Sequence, residues 1–344
     1  MTSYNFYGFL TVELVTDHRG WKRYFDNEYV RIARAGSSAP RATIRTEIVD
    51  RLPQQRPDDI VHETRFKGLF LYRTLVRGID TDDVTIYFAR HWIDRVYMNA
   101  IGVYLQAQVL EPVMYYKLLQ QGVLLMHAAG VTKDGEATLL PAYGGTGKTT
   151  LSIALLDKGF RFLGDDLLLV DTADLTVHPY PRPLHIFTYN VRSLTGARIP
   201  LRYRVAVYAK NVLRFVLERV MRTEFLISTR IHADEIFEDG VFGETAPVGG
   251  IAFLRKEGPA FATVDVTDDN ARSLAASIAE SADLNDSLRD LVDHDARFVA
   301  AFTELELDVI ETLLRGTGRL THVNSRALTD TDRSLFAERT RGAA

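Results

Sequence analysis

The chain has 344 residues, 46 % hydrophobic and 25 % charged, which excludes a disordered, collagen-like or coiled-coil protein and predicts about two domains. Lys+Arg 41 against Asp+Glu 45 leaves a formal charge of −4, so no global basic excess points to nucleic acid. With no cysteine, disulfides, thiolate metal sites, Fe–S clusters and a cysteine nucleophile are all excluded.

Met1–Leu10 lacks a basic stretch, and Glu13 and Asp17 interrupt the residues after it. No apolar run reaches the length of a spanning helix, so a cytoplasmic protein without membrane association is expected. Residues 1–96 read as a β-rich N-terminal region. Short β-branched or aromatic runs at Tyr7–Val15, Ala42–Ile48, Gly68–Val76 and Asp83–Phe88 predict strands, parted by polar stretches such as Pro53–Asp59. Trp21 and Trp92 read as packing anchors. The remainder, 97–344, is expected to form one catalytic domain ending in helices.

That part opens with a helical pattern over Tyr97–Gln121. Met98, Ile101, Leu105, Val109, Val113, Tyr116 and Leu119 recur at three- and four-residue steps on one stripe. Pro112 kinks this helix or begins a second one, and Gly122 is a stop. Val123–Met126 and Ala137–Leu140 are apolar runs on either side of Asp134-Gly135, a strong hairpin turn. An unbulged turn pairs Lys133 with Glu136 and sets His127 opposite Ala142.

Ala142-Tyr-Gly-Gly-Thr-Gly-Lys-Thr149 fits the phosphate-binding loop, with Ala at the usual first Gly, between a predicted strand and the helix Thr149–Lys158. Gly144, Gly145 and Gly147 let backbone N–H groups turn inward on phosphate oxygens, beside Thr146 and Thr150. The helix start adds its positive end, Lys148 reaches β/γ-phosphates, and the Thr149 hydroxyl can hold Mg²⁺. Gly159 closes the helix, Phe160–Gly164 reads as a strand, and Asp165-Asp166 come directly after it. A right-handed strand–helix–strand unit ends both strands at one sheet edge, bringing the two carboxylates to the terminal phosphate. One would bind Mg²⁺ and the other would accept a proton from an attacking hydroxyl. His127 at the loop mouth reads either as a proton relay or phosphate partner, or as a structural residue.

Weaker candidates lie downstream. Arg182 and His185 suit an acceptor loop, and Arg230 and His232 suit a cation for the transferring group or a surface ion pair. Gly249–Leu254 reads as a core strand. His178, His294 and His322 lack metal-ligand spacing, so no zinc site is expected. From Asp268 the tail reads as mainly helical: Asp268 or Asp269 caps Ala271–Ala282, Phe302–Leu314 is amphipathic and stops at Gly316, and the last dozen residues are polar and frayed.

From Leu125 to Asp171 the chain resembles the catalytic domain of the HPr kinase/phosphorylase family. The resemblance rests on His127 in Met-His-Ala-Ala-Gly, on Gly144-Gly-Thr-Gly-Lys-Thr-Thr150, and on Lys158-Gly-Phe-Arg-Phe-Leu-Gly-Asp-Asp166. It implies a P-loop kinase core with ATP and Mg²⁺ as cofactors. Lys148 and Thr149 then take nucleotide and metal roles, Asp165 is the base for an acceptor serine, Asp166 sits near the metal, and His127 is the active-site histidine. Where the family carries the signature tied to its reverse reaction, this chain reads Pro183-Leu-His-Ile-Phe-Thr-Tyr-Asn190, so the resemblance does not extend to phosphorolysis or to HPr as substrate. It is closer to the diverged kinases of this group that phosphorylate serine on precursor peptides. The expected activity is ATP-dependent phosphorylation of a hydroxyl, on Ser or Thr of a protein or peptide. A small-molecule kinase and a nucleotide-dependent ATPase or switch stay open, as does the oligomeric state.

Overall fold

Tyr7 and Gly8 both have positive φ, 58° and 81°, and fold β1 (Thr2–Phe6) back onto β2 (Leu10–Val15). The expected single strand Tyr7–Val15 is therefore the second half of a hairpin. The computed structural model describes residues 1–32, 40–66, 70–186, 200–221, 229–237, 241–282, 284–292 and 295–341. They form a mixed α/β protein of two compact units, Met1–Leu125 with Arg272–Thr312 and Met126–Ala271 with Leu313–Ala344.

In the first unit, β3 (Ala42–Val49), β4 (Ile60–Phe66), β5 (Phe70–Arg77) and β6 (Asp83–Ala89) complete a mixed sheet of order β1-β2-β3-β6-β5-β4. Ala42, Ile44, Thr46 and Ile48 alternate onto the buried face of β3, as period-two patterning requires. Helix α1 (Arg19–Tyr29), capped by the His18 ring, buries Trp21, Phe25 and Tyr29. Trp21 meets Phe88 edge-on at 5.5 Å and is the expected anchor. Trp92 is not: it is 69 % exposed, in contact with Phe70 at the surface.

The Tyr97–Gln121 pattern resolves into α2 (Asp94–Leu105), one π-type turn (Gln106–Leu110) and α3 (Glu111–Leu119). Pro112 stands at the start of α3, where its missing N–H breaks the α ladder and the wider turn bridges the gap. Gly122, at φ 71°, ends the run. The unit boundary falls after Leu125 instead of at residue 97, because these helices are tied into the first unit. Tyr24 donates to Gln106 across 2.6 Å, and Gln106 donates to Glu111 across 2.8 Å, all three groups buried.

The second unit holds β8 (Ala128–Lys133) and β9 (Glu136–Pro141), preceded in the chain by β7 (Val123–Met126). Asp134 and Gly135 have φ of 56° and 83°, and Lys133 pairs with Glu136 in the expected register. After α4 (Lys148–Leu156) come β10 (Arg161–Gly164), β11 (Leu168–Asp171), β12 (Thr176–His178), β13 (Leu184–Ile186), β14 (Thr229–Ile231) and β15 (Ala246–Arg255). The sheet runs β10-β8-β9-β15-β12-β11, and β16 (Phe261–Asp265) and β17 (Arg319–Asn324) extend it from β15. Strand β10 is antiparallel to β8, which is antiparallel to β9. Thus β9 and β10 point the same way with β8 wedged between them, and their carboxyl ends share one edge.

The tail departs from expectation in three places. Strand β17 pairs parallel to β15 in the sheet core. The long helix Ala296–Thr317 stops at Gly318, φ 69°, and not at Gly316. The last dozen residues, expected to fray, instead include helix Phe336–Thr340, which follows helix Asp330–Ser334 with its reciprocal Thr329–Asp332 cap. Phe336 is fully buried against Leu140, Leu151, Leu254 and Val323.

Candidate active site

Strand β9 delivers the chain to a tight loop at the shared edge. Gly145 and Gly147 have φ of 71° and 97°, a region closed to most side chains, and Gly147 caps α4. Gly144 and Gly145 lie exposed at the loop, whereas Thr146 is buried, its hydroxyl donating to the Tyr143 carbonyl across 2.8 Å. The resulting geometry aims the first helical residues, Lys148 and Thr149, at the end of β10.

Those two side chains meet the residues that the sequence singles out. The Lys148 ammonium lies 2.7 Å from His127 Nε2 and donates to the Ala142 carbonyl across 3.4 Å. His127 is one residue before β8, opposite Ala142 by extension of the hairpin register. The Thr149 hydroxyl donates to Asp165 Oδ2 across 2.8 Å. Asp166 Oδ1 lies 3.4 Å from His127 Nε2, and its Oδ2 accepts from Arg182 Nη1 across 3.5 Å. His127 Nε2 therefore sits between an ammonium and a carboxylate. It accepts from Lys148 when it carries no proton and donates to Asp166 when it does.

The adjacent acids are electrostatically unlike. Burial pushes Asp165 up to about 6, with the neighbouring Asp166 charge adding to it against the Thr149 hydrogen bond and the Lys148 and His127 charges. Its second oxygen, Oδ1, is buried without a hydrogen-bond partner. Burial also raises Asp166, but its His127 hydrogen bond and the Arg182, His127 and Lys148 charges outweigh that and hold its carboxyl well below the usual carboxylate range. Asp166 is thus favoured as the anion, whereas Asp165 is pushed toward its protonated form.

The Thr149 hydroxyl is paired with Asp165. Among the described residues no group of three or more His, Asp or Glu is set to hold a metal. His178 bonds Thr245 at 3.2 Å and His322 bonds Arg255 at 3.1 Å. Arg230 stands opposite His185 in the β13–β14 ladder. His294, Phe187–Asn190 and the His185 side chain fall outside the described residues. Ser325, which donates to the Thr146 carbonyl across 3.0 Å, has no signal in the sequence, since only the placement of β17 beside β15 brings it to the loop. No helix among the described residues is long and apolar enough to cross a membrane. No family model matches the chain.

The Arg182–Asp166 pair gives a measurable consequence. A carboxyl held below its unfolded pKa adds stability that is complete above about pH 4 and disappears as pH falls through its folded value. Arg182→Ala is expected to cost at most about 1 kcal/mol at neutral pH, because Asp166 is 47 % exposed. Thermal unfolding compared at neutral and strongly acidic pH should show that cost shrinking in acid. A constant cost would mean that Arg182 acts through packing alone.

Proposed function

We infer that the chain is an ATP-dependent kinase of the HPr-kinase-like P-loop type, moving the γ-phosphate to the hydroxyl of Ser or Thr on a protein or peptide. The observation that carries this reading is the convergence of Lys148, Thr149, His127, Asp165, Asp166 and Arg182 at the joint carboxyl edge of β9 and β10. The loop's backbone N–H groups and the α4 start suit a phosphate chain, and Lys148 is placed to exchange His127 for β/γ-oxygens. The acceptor oxygen then attacks the γ-phosphorus, its bond to the β-bridging oxygen breaks, and the proton passes to Asp165. A base with a pKa near neutrality takes that proton better than one held strongly ionised, which favours Asp165 over Asp166 for the role. Arg182 supplies positive charge beside the transferring group, with His127 next to it.

The site also suits Mg²⁺. That ion binds through one or two protein oxygens, with phosphates and water filling its remaining positions. The Thr149 hydroxyl and the Asp166 carboxylate, held ionised beside Arg182, are oxygens of that kind, which leaves Asp165 for the proton. When bound, the ion neutralises charge on the β/γ-oxygens.

Incubation of the protein with γ-labelled ATP, Mg²⁺, candidate peptides and a cell extract tests the reading. Label on a Ser or Thr hydroxyl supports it. Label confined to inorganic phosphate makes the chain an ATPase, and label confined to a small alcohol makes it a small-molecule kinase. Lys148→Ala is expected to lower transfer by about 10²–10³-fold and to weaken ATP binding as well. Undiminished transfer by that variant would end the proposal.

A further inference from the structure

The first unit holds a cavity of about 360 Å³ where the turn before α1, the end of β6 and the start of α2 meet. Trp21 and Asp94, 1 % and 4 % exposed, form its buried walls, and Trp92 stands at its rim, 69 % exposed. The volume lies at the lower end of small-molecule sites, about 300–1,000 Å³. The Trp92 ring is braced by two others: it meets Phe70 edge-on at 6.1 Å and His91 at 5.6 Å, and Phe70 meets His91 at 5.3 Å. An indole that is exposed yet braced offers a flat apolar face at little cost in side-chain entropy.

The polar groups around the cavity leave donors in excess. Both carboxylates are already engaged: Asp50 accepts from Arg90 Nε across 2.5 Å, and Asp94 accepts from the Tyr72 hydroxyl across 2.5 Å and from the His91 amide across 3.1 Å. Arg90 is engaged in turn, its Nη1 reaching Asp17 across 3.2 Å. His18 and His91 each spend Nδ1 on a backbone amide, that of Gly20 across 3.2 Å and that of Ile93 across 3.3 Å, so Nε2 carries the proton in both rings. Arg95, exposed on the first turn of α2, has no carboxylate within ion-pair distance among the described residues. Two imidazole N–H groups and a guanidinium fork thus border one cavity and call for an oxyanion. The nearby Asp50 and Asp94 repel a doubly charged phosphate more than a singly charged carboxylate, so the carboxylate is the better match.

We propose that this cavity is a binding site for an aryl carboxylate: the anion meets Arg95 and the Nε2–H groups of His18 and His91, and the ring lies on Trp92. Two sources carry that chemistry, a free aromatic acid and the carboxyl end of a peptide whose last residue is aromatic. The site uses no residue of the phosphotransferase reading, so either can fail without the other.

The chain has two tryptophans, and with Trp21 buried, quenching by neutral acrylamide reports Trp92. N-acetylphenylalanine is expected to protect that fluorescence saturably, whereas its amide, which lacks the charge, should bind at least about tenfold more weakly. Isothermal titration of Arg95→Gln and Trp92→Ala, both at exposed positions, should show about tenfold weaker binding of N-acetylphenylalanine with unchanged melting midpoints. Phenylacetate and acetyl-Gly-Gly-Phe then separate the sources: tighter binding of the first supports a free acid, and tighter binding of the second supports a chain end. No saturable protection by N-acetylphenylalanine, or equal affinity for it and its amide, overturns the site. Wild-type affinity in both variants overturns it too. Phenyl phosphate binding more tightly than phenylacetate overturns the choice of a carboxylate.

Discussion

Asp165→Asn is expected to lower phosphoryl transfer by about 10²–10⁴-fold while ATP affinity stays within about twofold of wild type. The amide keeps the shape of the side chain and can still meet the Thr149 hydroxyl, but it cannot take a proton from the acceptor. The pH profile adds a sharper test. The wild-type kcat/KM should fall as pH drops through about 6, where Asp165 becomes protonated, and that acid limb should vanish from the residual activity of the variant. Stability should move the other way. A carboxyl raised above its unfolded pKa binds its proton more tightly in the folded chain, so the stability it lends is complete below about pH 4 and is lost as pH rises through its folded value. Asp165→Asn should therefore raise the melting midpoint at about pH 8 and leave it unchanged near pH 4. Full activity in the variant, or a wild-type profile flat through pH 6, would remove Asp165 from the base role.

Phe336→Ala should destabilise the second unit by about 3–5 kcal/mol and lower its melting midpoint by about 10 °C. The ring has no exposed surface and fills the core where Leu140 of β9, Leu151 of α4 and Val323 of β17 meet. Its loss leaves a cavity directly beneath the elements that carry the glycine loop, so ATP affinity should fall together with stability. Differential scanning calorimetry decides the matter: a shift of less than about 2 °C would mean that the end of the chain is not docked.

Some of this architecture is readable from residues alone, and the reason differs from place to place. Asp134-Gly135 announces the hairpin because both positions need positive φ, and counting back from the Lys133–Glu136 pair puts His127 beside Ala142 and so within reach of Lys148. The glycine loop and Asp165-Asp166 are equally plain, since each comes after a short apolar run and the intervening helix forces them to one edge. Tyr7-Gly8 hides its turn, because a tyrosine at φ 58° breaks no pattern of apolar residues and the run reads as one strand. Strand β4 is half-exposed along its length and carries Glu63 and Arg65, so it lacks the apolar alternation that marks a strand. Phe336 is one aromatic in a polar stretch, and Ser325 reaches the loop only through the long-range pairing of β17 with β15.

The wedging of β8 between β9 and β10 sets an order of assembly. The β8–β9 hairpin closes over two residues and can form within microseconds, whereas β10 finds its place only on the outer flank of β8 once that ribbon exists. Nucleation on the hairpin would already bring His127 near the future loop, and docking of β10 would come last, carrying Asp165 and Asp166 into position. Truncations of side chains on β8 should therefore slow refolding, while truncations on β10 should chiefly hasten unfolding, leaving the acidic pair as the final piece of this edge to lock.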